Sequence, residues 1–178
     1  MFKRFDPDND ISTSTQVKAS IQRGIKNSLS ESHPHINDDH LDFLLPKKPP
    51  LVQYKVGPHL MLYCRPPTEE TIYSDNEPVF FQSRNGPILP SLRLVHQYPD
   101  LAFNRVTVDK GAIPFILGGA NIMCPGLTNP GGEMPEDEED ENGNVVPGLK
   151  EGDGVVVYAE GKEYAIAVGV MKMSSAEV

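Results

Sequence analysis

The sequence predicts an α+β protein built as two modules in series, and three observations carry that reading. Val17, Ile21, Ile25 and Leu29 recur every four residues, an apolar helical stripe, and several short strand-like runs follow them. A second pattern fills residues 106–127, in the order strand, tight turn, short apolar helix, Gly118-Gly119, extended run. Between the two lie Tyr98-Pro99 and the short stretch 100–105, which reads as a linker. The modules are accordingly placed at residues 1–97 and 98–178.

The first module opens with Phe2 and Phe5, apolar residues expected to pin the N-terminus to the core. Asp6-Pro7-Asp8-Asn9-Asp10 reads as a turn. Ser12-Thr13-Ser14-Thr15 offers several helix N-caps ahead of the apolar stripe. Lys18, Arg23 and Lys26 occupy the rest of that helix with no acid between Gln16 and Ser30. They form either a solvated face or a basic strip able to touch phosphate. His33-Pro34-His35 ends the helix; with His40, Asp38 and Asp39 it lacks the thiolate-rich, fixed spacing of a structural zinc site. Asn37 is placed to cap a second short helix whose Leu41, Phe43, Leu44 and Leu45 face the core, with Pro46 ending it. Lys47-Lys48 before Pro49-Pro50 is the most compact positive spot in the chain.

Short antiparallel strands are expected at 51–56, 60–64, 71–73 and 79–82, with turns at Gly57-Pro58 and Arg65-Pro66-Pro67 and an insertion at 65–76. Asn85-Gly86-Pro87 and Pro90 close the sheet. Ser91 then caps a helix at 92–97 with Leu92, Leu94 and Val95 inward.

In the second module Val106 and Val108 alternate with polar residues, as in a half-buried strand. Lys110-Gly111-Ala112 breaks the period. Ile113, Phe115, Ile116 and Leu117 give a short apolar helix that accepts Pro114 only in its first turn. Gly118-Gly119 stops it, and a second strand is expected to run from Asn121 to Leu127. Residues 128–154 read as one long acidic loop, with the insertion proper at about 129–154. Two strands, 155–159 and 164–170, then form a hairpin about Glu160-Gly161-Lys162.

Composition sets bounds. The chain has 178 residues, 38% of them apolar, enough to bury a core in each of two small modules. Its formal net charge of −9 argues at first against nucleic acid, yet residues 133–141 alone hold seven acids. The excess is a local run, expected to be a solvated loop whose removal costs little stability. No apolar run is long enough to span a bilayer and no secretory leader pattern follows Met1, so a cytoplasmic location is expected. Cys64 and Cys124, far apart in sequence, are expected as reduced thiols.

No catalytic constellation emerges. Gly118-Gly119 lacks the Gly-Lys-Ser/Thr that completes a phosphate-cradling loop. Ser83, His96 and Asp100 lack the elbow motif and spacing of a triad. A non-enzyme is expected, with no metal and no cofactor. What remains is recognition: glycines at 111, 118 and 119 admit close backbone approach, and their N–H groups are candidate phosphate donors, with Lys110 adding charge. The alternative is that these glycines serve only tight turns.

The motif Asp109-Lys110-Gly111-Ala112, followed by Gly118-Gly119-Ala120-Asn121-Ile122-Met123-Cys124-Pro125-Gly126-Leu127, resembles the opening of a PUA domain, the RNA-binding module of pseudouridine synthases and archaeosine transglycosylases. More narrowly it resembles the malignant T-cell amplified sequence family of translation reinitiation and recycling factors. Met1-Phe2-Lys3-Arg4-Phe5, Leu92-Arg93-Leu94-Val95-His96-Gln97-Tyr98-Pro99 and Val168-Gly169-Val170-Met171-Lys172-Met173 match that family in order, so the resemblance covers nearly the whole chain. It implies an N-terminal α/β module followed by a PUA-type β pseudobarrel. It also implies an RNA surface for a transfer RNA acceptor end at Lys110, Gly111, Ala112, Gly119, Ala120, Asn121, Pro125 and Gly126. The first module is implied to pair with density-regulated protein and to meet the small ribosomal subunit, with Lys26, Lys47, Lys48 and Arg84 as contacts. The family continues past the equivalent of Val178 with a helix and a strand, so the pseudobarrel is expected to be incomplete and the second module marginal. Two other readings stay open: an RNA-binding accessory of an RNA-modification complex, and an acidic interaction protein that has lost RNA binding.

Overall fold

The computed structural model describes residues 6–67, 76–84, 86–139, 145–146 and 148–178. Phe2, Phe5 and the strand expected at 71–73 lie outside them. The chain divides into two compact units, Met1–Ala102 and Phe103–Val178.

The first unit is a five-stranded antiparallel sheet in the simple order β1-β2-β3-β4-β5. After a short helix α1 (Pro7–Asp10), β1 (Ile11–Gln16) pairs with β2 (Val52–Val56). Helices α2 (Ala19–Ser32) and α3 (Asp38–Leu44) fall between these strands in sequence. The meander continues through β3 (Leu60–Arg65), β4 (Glu77–Ser83) and β5 (Ile88–Pro90), and α4 (Leu92–Gln97) follows. Leu29, Leu41, Leu44, Leu51, Val79, Phe80 and Leu94 are fully buried and form the core.

Several local expectations are corrected. Asp6–Asp10 is a helical turn, with Asp10 N donating to Asp6 O. The Ser-Thr run is the edge strand β1, where β-branched threonines suit the pleat; the N-cap of α2 falls to Lys18, which supplies no side-chain cap. Ile21 is exposed, and the buried face of α2 is Gln22, Ile25 and Leu29. A strict spacing of four overshoots the 3.6-residue turn by about 40° a step, so the stripe drifts off the core face. Gln22 is buried because its Nε2 donates to Leu45 O and Pro46 O, each at 2.8 Å. Asn37 does cap α3, its Oδ1 accepting from His40 N at 2.8 Å, but Phe43 points outward and packs edge-on against Tyr98. Ser91 caps α4 through Leu94 N. Strand β5, at 88–90, was not expected.

The second unit holds a three-stranded sheet in the order β10-β9-β6. Strand β6 (Arg105–Val108) runs parallel to β9 (Gly154–Ala159), which is antiparallel to β10 (Ala167–Val170). Helices α5 (Ile113–Leu117) and α6 (Cys124–Thr128) follow β6. The core is Val106, Val108, Leu127, Leu149, Val155, Val157, Ala159 and Met171, with Ile113, Ile116, Met134 and Val178 packed partly against it.

Two expectations change here. The run 121–127 is not a strand: Met123 is extended, and Pro125 then sits in the first turn of α6, where its missing N–H is harmless. Nor is 128–154 one solvated loop. Thr107 and Glu133 exchange both backbone hydrogen bonds, at 2.7 and 2.8 Å, along one edge of β6. Leu149 reaches the core, and a small ladder joins β7 (Glu138–Glu139) to β8 (Val145–Val146). Beyond β10, Met171 keeps pairing with Gly152 and Asp153, and a capped turn (Ser175–Glu177) carries Val178 onto the core.

Candidate nucleic-acid interface

The segment after β6 is built by local rules. Asp109 ends the strand and turns the chain: its Oδ1 accepts from Gly111 N at 2.6 Å, and its own N–H donates to Gly126 O. A Cβ on Gly111 would stand 2.8 Å from that Oδ1. A single 3-10 turn, Lys110–Ala112, leads into α5, with Pro114 in its first turn.

Helix α5 ends in a complete Schellman motif. Gly119 N donates to Ile116 O at 2.9 Å and Ala120 N to Phe115 O at 3.0 Å, with Gly119 at φ +87°. A Cβ built on Gly119 would meet nothing within 4 Å, so the requirement for glycine comes from the backbone angle alone.

This geometry revises the role of the glycines. Gly111, Gly118 and Gly119 each spend their N–H inside the segment, on Asp109, Pro114 and Ile116. None is left as a phosphate donor. Gly126 is removed from the candidate surface altogether: it is buried, donates to Met123 O and accepts from Asp109 N. Gly119, Ala120, Asn121 and Pro125 are exposed, Gly111 is exposed, and Ala112 is half-buried. Lys110 is exposed but lies 3.7 Å from the Glu160 carboxylate, which offsets part of its charge.

What sequence reasoning missed is apolar. Phe115, Leu117 and Met123 are all more than half exposed, while Ile113 and Ile116 turn inward. A five-residue helix has one buried side, and Ile113 and Ile116, three apart, occupy it. With that side against the core, Phe115 and Leu117 are forced out. The exposed surface of this segment is an apolar patch around a glycine turn, poor in free positive charge.

In the first unit, Lys47, Lys48 and Arg84 are exposed. Lys26 differs: its Nζ lies 2.9 Å from Asp42 Oδ1 and 3.3 Å from Asp38 Oδ1. The hydrogen bond to Asp42, foremost, raises its pKa. Lys26 is thus committed to α3 and is a weak candidate for an outside contact. Among the described residues no group of His, Cys, Asp and Glu is arranged to hold a metal ion.

The comparisons with known proteins agree with this architecture. Residues 5–99 match the Pre-PUA-like domain and residues 104–178 the PUA domain. A hypothetical protein of the archaeon Pyrococcus horikoshii shares the fold at TM-score 0.63 and 22% identity, over 93% of this chain and 85% of that one. A PUA-domain structure from Aeropyrum pernix gives 0.58 at 19% identity, over 93% and 75%. The class is therefore a PUA-domain protein with a pre-PUA unit ahead of it.

Over all 178 residues the chain is 45% identical to translation machinery-associated protein 20 of Schizosaccharomyces pombe, and 41% identical to both malignant T-cell-amplified sequence 1 of Danio rerio and malignant T-cell-amplified sequence 2 of Homo sapiens. In each case it spans 86% of the relative. The chain belongs to the malignant T-cell-amplified sequence family.

Proposed function

We propose that this protein is a non-catalytic, RNA-binding factor of the translation machinery. The observation that carries the reading is membership, over all 178 residues given, in a family whose fission yeast relative is named for association with that machinery. The PUA match over residues 104–178 supports RNA as the ligand. Within that reading, the second unit holds the unpaired acceptor end of a transfer RNA at Lys110, Gly111, Ala112, Gly119, Ala120, Asn121 and Pro125. Because the glycine N–H groups are spent, contact there rests on apolar packing and close approach to the exposed turn rather than on a phosphate nest. Such recognition suits a splayed single-stranded end, whose base faces are free to pack. The first unit pairs with density-regulated protein and meets the small ribosomal subunit through Lys47, Lys48 and Arg84. The pair acts in the cytoplasm, in reinitiation and in recycling of the small subunit.

Sedimentation of purified small subunits with the protein, alone and with density-regulated protein, tests this. Co-migration that is lost on changing Lys47 and Lys48 together to Glu is the expected result. Absence from the small-subunit fractions under every condition refutes the ribosomal part of the proposal.

A further inference from the structure

An unassigned cavity of about 610 Å³ lies in the first unit between α2 and α3, within the size range of small-ligand pockets. Its apolar wall includes Val17, Leu45 and Pro50. Its polar lining holds two sets of groups. Lys26 bridges Asp38 and Asp42 and staples α2 to α3. Arg23, Asn27 and Lys47 are exposed, with neither cation in an ion pair among the described residues. Arg23 and Asn27 lie four apart on α2, so they share one helix face. The helix adds to the same sign: α2 starts without a side-chain cap and without an acid in its first turn, and its first residue, Ala19, lines the cavity.

We propose that this cavity receives a backbone phosphate of RNA, with Arg23 and Lys47 as the contacting cations and Asn27 as a neutral donor, while Lys26 acts only as the staple. The inference rests on the RNA-binding reading above and adds residues and ligand chemistry to it. A guanidinium that is not already held by a carboxylate is free to present a forked pair of donors to phosphate oxygens. The ammonium of Lys26, held by two carboxylates, is not. Among the described residues no aromatic ring lines the cavity, which favours phosphate contact over base stacking here.

The test is the salt dependence of binding of a fluorescent oligouridine to the full chain, followed by anisotropy over a potassium chloride series. Arg23→Gln and Lys47→Gln should each weaken binding and each flatten the log–log salt slope by about 0.7, one single-strand phosphate contact apiece. Lys26→Gln should leave the slope unchanged and lower the thermal midpoint. Binding by the unchanged protein with slopes unaltered in both Arg23→Gln and Lys47→Gln overturns the inference and leaves the RNA-binding reading standing. No binding by the unchanged protein overturns both. Polyglutamate binding that shows the same dependence on Arg23 assigns the pocket to an acidic protein segment and removes RNA as the occupant.

Discussion

At the scale of single residues, the positions most tightly fixed are those where the backbone leaves no choice. Gly119, at φ +87° with open space where a Cβ would stand, is held by conformation and not by space. Gly119→Ala should therefore cost about 1–2 kcal/mol, the left-handed penalty for an ordinary residue, with Gly119→Asn costing less. Urea unfolding of the two variants measures the difference. The cysteines also separate. Burial pushes the Cys64 thiol up to about 12, whereas Cys124 is half-exposed at the start of α6. Iodoacetamide at neutral pH should label Cys124 in the native protein and reach Cys64 only on unfolding, because the thiolate is the reactive form. Mass spectrometry of the labelled peptides checks both statements.

At the scale of elements, the helices and strands with strong caps or alternation were legible: Asn37 and Ser91 sit where their side chains accept, and β2, β3 and β4 lie close to their expected positions. Three things were not. Strand β1 carries no apolar alternation because most of its residues are exposed, so its Ser and Thr read equally well as caps. The run 121–127 has strand-like composition, but Pro125 and the Met123–Gly126 hydrogen bond make a helical turn cheaper. The start of the acidic run looks solvated, yet its backbone is a ladder partner of β6. Deleting Glu133 and Met134 should therefore lower the thermal midpoint, while Glu133→Gln, which keeps the backbone bonds, should not; differential scanning fluorimetry separates the two.

A further tie, invisible to periodicity, joins β3 to β4. Arg65 Nη2 and Glu77 Oε2 are buried and 2.8 Å apart, and the guanidinium lies 5.7 Å from the Phe43 ring centroid and 3.4 Å from the Tyr98 hydroxyl. Glu77→Ala leaves a buried guanidinium without its counter-charge. Chemical unfolding should show a loss of about 3–5 kcal/mol.

At the scale of the whole molecule, two units with separate cores imply separable stabilities. Met171 is buried in the second core and belongs to the segment that follows β10. Met171→Ala should cost about 2–5 kcal/mol and should act on the second unit. Hydrogen exchange read by mass spectrometry should then show faster exchange across β6, β9 and β10, with α2 and α3 unchanged. Family membership was readable at this scale because the motif from Asp109 to Leu127 is long and specific. The surface it presents was not, since whether Phe115 faces in or out depends on which side of α5 meets the sheet.

The parallel pairing of β6 with β9 has a consequence for the order in which the chain acquires its structure. The meander of the first unit closes by short turns, such as the one bringing Val56 opposite Leu60. By contrast, Asn104 and Gly154, hydrogen-bonded at the start of the β6–β9 pair, are 50 positions apart. Loop closure over that span costs roughly 2 kcal/mol more than over a hairpin turn, before any contact compensates. During synthesis from the N-terminus, the edge of β6 that pairs with β9 stays bare while some fifty residues follow. Val106 and Val108 have no sheet to cover them until β9 arrives, so the nascent second unit is the stage at which this chain depends most on being shielded from its neighbours.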